Sequence, residues 1–138
     1  MSWLGYALIS AAAASATAIL AKLGVQGVPS NLATALRTLV VLLFAWAIVF
    51  ATGEQRELSK LPGRSLVFLA LSGLATGVSW LAYFKALQLG PASRVAPIDK
   101  LSLALTLVLA GVFLREPISW RLGLGVALIV SGSLLTLR

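Results

Sequence analysis

A chain of 138 residues is near the size of one ordinary domain, yet 59% of it is apolar, only 11% is charged and its mean hydropathy is +1.00, a balance that does not suit a soluble surface. Cysteine and histidine are both absent, so disulfides, thiolate catalysis, cysteine-ligated metals and the commonest general base are excluded. The formal charge of +7 comes from 11 Lys and Arg scattered between apolar blocks, without a basic stripe or interleaved aromatics, which argues against nucleic acid as a partner.

A hydrocarbon core of about 30 Å takes about 20 helical residues. Five apolar blocks near that length run over residues 3–22, 32–52, 65–88, 93–114 and 119–137. Between them lie GVQGVPSN (24–31), GEQRELSKLPGR (53–64), LGPAS (89–93) and REPIS (115–119), stretches rich in Gly, Pro and charge that read as turns. The sequence thus predicts an all-α integral membrane protein, one domain over 1–138 with five transmembrane helices.

The first block contains ASATA (14–18), a cleavage-like pattern of small residues, but no basic segment precedes Trp3, so it reads as a span and not as a signal peptide. Its AAAASA run (11–16) offers a flat face for close helix approach. The second block carries Asn31, Thr34 and Thr38 on one face and Arg37 about two turns in. In the third, Ser72, Thr76, Ser79 and Tyr83 recur at spacings of four, three and four, one continuous polar face. Beside it run Gly73, Gly77, Trp80 and Phe84; the two glycines form a GxxxG that admits another helix, and Trp80 with Tyr83 would wall a polar cavity. Lys85 lies about one turn before the end of this block.

The fourth block has an uncharged run of only 14 residues, Leu101 to Leu114, which covers about 21 Å of a core of about 30 Å. Extension toward the C-terminus meets Arg115, Glu116 and Pro117; extension toward the N-terminus immerses Lys100, Asp99 and Pro97. Ionisable groups at that depth count as a functional site by default. Neighbours in sequence point about 100° apart on a helix, so Asp99 and Lys100 are expected to need separate partners. Snorkelling of Lys100, with Asp99 paired to a base on another helix, is the structural alternative. Ser102 and Thr106 continue the polar face.

With five spans, Lys22, Arg37, Lys85, Arg94, Asp99 and Lys100 fall on the half of the membrane away from the N-terminus, an excess of positive charge suited to an anion or the carboxylate of an amino acid. A ring of snorkelling bases is the plainer alternative. Five Lys and Arg (Arg56, Lys60, Arg64, Arg115, Arg121) fall on the N-terminal side against six on the other, Arg138 included, so the bias that sets orientation is weak and permits insertion both ways. In the fifth block Gly123, Ala127 and Ser131 make a small-residue face for a helix contact.

KALQLGPASRVAPIDKLSLALTLVLAGVFLREPISWRLGLGVALIVSGSLL (85–135) resembles the C-terminal part of an EamA-type domain of the drug/metabolite transporter superfamily, in the "AL.LGPAS" turn, a proline-initiated helix, the "FL.E" end at Phe113, Leu114 and Glu116, and a Gly-rich last helix. ILAKLGVQGVPSNLATALRTLVVLL (19–43) agrees more loosely. Larger members have two five-helix halves of inverted topology, so the resemblance implies one half of a ten-helix inverted-repeat fold, acting as an antiparallel homodimer in a bacterial or archaeal inner membrane. Two departures are visible: alanine replaces larger groups in the first helix, and Arg115 stands where "FLGE" has glycine. Small multidrug exporters of the superfamily couple protons through a glutamate in the first helix; here the intramembrane acid is Asp99.

The expected function is a secondary transporter or facilitator for small polar metabolites such as amino acids or organic anions, by alternating access. Arg37, Lys85 and Lys100 would attract a carboxylate, Asp99 would tune them or carry a proton, and Thr76, Ser79, Trp80, Tyr83 and Ser102 would line the site; Gly73, Gly77, Pro97, Gly123, Ala127 and Ser131 would be structural or dimer contacts. A lipid-headgroup-handling or assembly subunit, and a folded half-domain without transport, are the alternatives. No enzyme activity, cofactor or metal is expected; the expected partners are a second copy, membrane lipid and a small solute.

Overall fold

The computed structural model describes residues 2–137, which are almost wholly helical, with no strand among them. Six α-helices follow in order: α1 (Trp3–Gly24), α2 (Ser30–Thr52), α3 (Gly63–Leu89), α4 (Ala92–Asp99), α5 (Ser102–Leu109) and α6 (Trp120–Leu135), with a 3₁₀ segment at Glu54–Lys60 and a π turn at Ala110–Leu114. Helix is what lipid demands, because a backbone with no water to bond must satisfy itself locally. Four stretches are long and apolar enough to cross a membrane: Trp3–Gly24, Ser30–Thr52, Gly63–Leu89 and Ala92–Leu114. At 1.5 Å per residue they reach about 33 to 40 Å, against a core of about 30 Å. The protein is an integral membrane protein.

The last helix, α6, has 16 residues and reaches about 24 Å, shorter than the fifth apolar block implies. Its start is delayed by the extended residues around Pro117 to Ser119, whose Oγ caps the helix by accepting from the Leu122 N–H at 3.2 Å.

The chain divides into two compact units, Leu20–Leu89 and the residues up to Ile19 together with those from Gly90 onward. In the first, α2 packs on α3. Its buried anchor is Val25, Phe84 and Leu87, 1%, 3% and 0% exposed. The turn between α1 and α2 is pinned to the end of α3 by two side chains that supply what its backbone lacks. Lys22 Nζ donates to the Leu87 carbonyl, and Gln88 Nε2 donates to the Val28 carbonyl at 3.0 Å. Gly53, with φ of 77°, closes α2 in the left-handed conformation and donates to the carbonyls of Val49 and Phe50.

In the second unit α4 and α5 both lie against α6. The fourth span changes its winding twice. Pro97 has no N–H to give to the carbonyl four residues back, and the chain beyond it tightens to three-residue spacing: Lys100 N–H to Pro97 O, Leu101 N–H to Ile98 O and Leu103 N–H to Lys100 O, each at 3.0 Å. This 3₁₀ passage holds Asp99 and Lys100. Further on the helix widens, and the Ala110 carbonyl accepts from both the Arg115 and Glu116 N–H groups, the latter at 3.3 Å. Arg115 then turns the chain at φ 55°, ψ 32°, a left-handed conformation that an L side chain resists. The returning segment passes so close that a Cβ at Gly111 would lie 2.7 Å from Ile118 Cδ1.

Glycine at position 115 removes the steric cost of the left-handed turn. Arg115→Gly is expected to stabilise the protein by about 1 kcal/mol, read as a raised thermal midpoint in detergent. An unchanged or lowered midpoint would show that the arginine side chain earns its place by other contacts.

Candidate functional site

Arg37 is the eighth residue of α2, so its Cα lies about 10 Å along the axis from Ser30. Across the α2 and α3 packing, its guanidinium carbon sits 4.1 Å from the centroid of the Trp80 ring and 5.6 Å from that of Phe84. Arg37 and Trp80 are half-buried and Phe84 is buried. The ring faces carry negative quadrupole density and desolvate the cation's flat side at little cost, so this contact stabilises an arginine inside the span by about 1–2 kcal/mol. Two of the sequence-derived site residues are thus brought together, but in a different relation from the one expected. Trp80 stacks on Arg37 itself. Phe84 was marked only as part of the aromatic stripe; its four-residue spacing from Trp80 was the signal for its role.

The polar stripes are partly consumed by their own helices. Thr34 Oγ1 donates to Ser30 O at 2.9 Å, Thr38 Oγ1 to Thr34 O at 2.8 Å and Thr76 Oγ1 to Ser72 O at 2.9 Å. Each hydroxyl hydrogen is therefore used, and only oxygen lone pairs remain to face a solute. Ser79 is exposed and Tyr83 half-buried on α3. Lys85, exposed, donates to Gln88 Oε1 at 3.2 Å, and Gln88 in turn holds the Val28 carbonyl, so this basic residue belongs to a relay that fastens the end of α3. Gln88 did not stand out in the sequence, because a lone glutamine near a span end has no characteristic spacing.

In the other unit Asp99 and Lys100 pair with each other, Lys100 Nζ to Asp99 Oδ2 at 3.5 Å. This corrects the expectation that neighbours in sequence cannot neutralise one another: a four-carbon lysine stem is long enough to reach the adjacent carboxylate. The pair is long, and its side chains are 50% and 40% exposed, so it belongs with weak ion pairs. Ser102 opens α5 and is exposed; Pro97 is half-buried in α4. Gly73, Gly77 and Gly123 open onto free space, where an added Cβ meets nothing within 4 Å, and Ala127 and Ser131 are exposed. Among the described residues no group of His, Cys, Asp and Glu could hold a metal. Arg138, counted in the charge balance, lies outside the described residues.

Long apolar helices that carry an aromatic-clamped arginine and a charged pair at a rewound helix make this a polytopic membrane protein. The sequence matches the EamA-like transporter family over residues 1–138, and the chain belongs to that family. It is 53% identical over 134 residues to a Sinorhizobium sp. protein named as an uncharacterized transporter in the cobO 3′ region, a match that covers 97% of this chain and 95% of that one. No solved structure gives a significant match. Family and relative point to a transporter rather than an enzyme.

An exposed pair at 3.5 Å contributes under about 1 kcal/mol to stability. Asp99→Asn is therefore expected to leave the thermal midpoint in detergent nearly unchanged. A loss of several kcal/mol would mean that Asp99 holds the fold together.

Proposed function

We propose that the protein is a secondary transporter or facilitator for small polar metabolites that carry a carboxylate, such as amino acids or organic anions, and that it works by alternating access as an antiparallel homodimer with five crossings per copy. The observation that carries this reading is the rewound fourth span. Irregular winding inside a membrane is confined to places where it is buried in protein or lines a cavity, and in secondary transporters such breaks mark the substrate site. Here the break coincides with Asp99 and Lys100, whose mutual pairing is weak enough for a solute to replace.

In this mechanism Arg37 in one unit and Lys100 in the other are each candidate contacts for the carboxylate, Lys85 adds long-range positive charge, and Asp99 receives the lysine back when the solute leaves. Thr76, Ser79, Trp80 and Tyr83 would supply polar and aromatic groups in the first unit and Ser102 in the second. The dimer is supported by the near balance of Lys and Arg between the two sides and by the open small-residue faces at Gly73, Gly77 and Gly123. Gly123, Ala127 and Ser131 on α6 would form part of its interface. A bacterial or archaeal inner membrane is the expected location.

Uptake of labelled amino acids and dicarboxylates into proteoliposomes is expected to fall at least tenfold in Asp99→Asn and in Lys100→Ala, with protein yield and helix content maintained; unchanged flux in both sinks the site. Reporter fusions at either terminus are expected to give signal from both faces of the membrane. One uniform orientation would replace the antiparallel homodimer with a separate partner subunit.

A further inference from the structure

We infer that Arg37, stacked on Trp80 and bordered by Phe84, is an oxyanion receptor open at its edge, in which the two rings are positioning residues for the guanidinium. The inference rests on the transport reading for its purpose but not for its chemistry. The five N–H donors of a guanidinium lie in its plane and point outward, so a ring across its face leaves them all available. Trp80 takes that face at 4.1 Å, and among the described residues no oxygen accepts a hydrogen bond from Arg37. The hydroxyls nearest in sequence, Thr34 and Thr38, have turned their hydrogens to their own backbone.

An arginine about two turns into a membrane-spanning helix, its face on a ring and its edge donors bonded to no oxygen among the described residues, is matched by an acceptor that supplies two oxygens in the plane of the guanidinium. Carboxylates and phosphates have that geometry; a halide or a neutral hydroxyl meets at most one donor pair. The rings also explain why arginine is needed here and lysine would fail. An ammonium has no flat face to stack and no fork to present, so it would lose both its support and its two-point grip. Phe84, being buried, fixes the wall on which Trp80 and Arg37 rest.

The same chemistry is found in a free organic anion and in a lipid phosphodiester, and the experiment separates them. With Trp3, Trp46 and Trp120 replaced by Phe, Trp80 is the one remaining indole and reports directly on the stacked guanidinium. The protein is titrated in dodecyl maltoside with acetate, succinate or inorganic phosphate, with chloride and methylammonium as controls, and is compared in nanodiscs of phosphatidylcholine and of phosphatidylglycerol.

A saturable change in Trp80 emission is expected with oxyanions, or in phosphatidylglycerol nanodiscs if the lipid is the ligand. The apparent Kd is expected to rise about tenfold in Arg37→Lys, the loss of one of two charge-assisted bonds, and to rise in Phe84→Leu while Phe84→Tyr restores it. No saturable response to any of the anions or to phosphatidylglycerol overturns the inference, as does a response that survives in Arg37→Gln with its helix content intact. Binding without proteoliposome uptake would remove the transport reading and leave the receptor standing. Uptake that persists with a silent Trp80 would do the reverse.

Discussion

The structure depends on one constraint: within hydrocarbon, no backbone N–H or C=O can turn to water, so every departure from regular helix must be repaired by the chain itself. The repairs are visible residue by residue. Beyond Pro97, the amides of Lys100, Leu101 and Leu103 keep partners by shifting to carbonyls three residues back. Where the fourth span ends, one carbonyl, Ala110, takes two amides. Where α1 and α2 meet, the Val28 and Leu87 carbonyls are taken up by the side chains of Gln88 and Lys22. An unmade bond in this setting costs several kcal/mol, more than the strain of a left-handed arginine or a 3₁₀ turn, so the irregular solutions win.

Charge obeys the same rule with fewer means of satisfying it. The chain holds 11 basic residues against 4 acidic ones, so acids cannot pair them all. Two other devices stand in. Aromatic rings take the flat face of Arg37, and carbonyl or amide oxygens take the ammonium groups of Lys22 and Lys85. Both leave the net positive charge undiminished, which is how a fold can stay stable while keeping an attractive field for anions.

Much of the architecture could be read from the sequence because lipid makes length and turn chemistry decisive. The Gly and Pro of GVQGVPSN, GEQRELSKLPGR and LGPAS fall where helices stop, and the shortness of the 14-residue uncharged run pointed to a fourth span that takes in Pro97, Asp99 and Lys100, as the stretch Ala92–Leu114 does. The glycine missing at Arg115 marked a position that is left-handed. What escaped was decided by side-chain reach and not by spacing. The 100° between neighbours is a property of Cα to Cβ vectors, and a lysine stem is long enough to cancel it, so Asp99 and Lys100 meet. Likewise a polar stripe cannot tell whether a threonine faces a cavity or its own helix; in α2 and α3 three of them turn inward to the backbone. The fifth apolar block spans 19 residues but its helix only 16, since extended Ser119 caps the helix from outside and the helix ends at Leu135.

The two charged clusters differ in strength. An ion pair at 3.5 Å between half-exposed groups is worth under about 1 kcal/mol, and a guanidinium stacked on tryptophan about twice that. The lysine contact is therefore the easily exchanged one: on the transport reading proposed above, an arriving carboxylate would replace Asp99 on Lys100 with charge conserved, because one carboxylate leaves the ammonium as another arrives. The arginine contact, in the other unit, is the fixed one, since a ring across the face of a guanidinium leaves its edge donors in place.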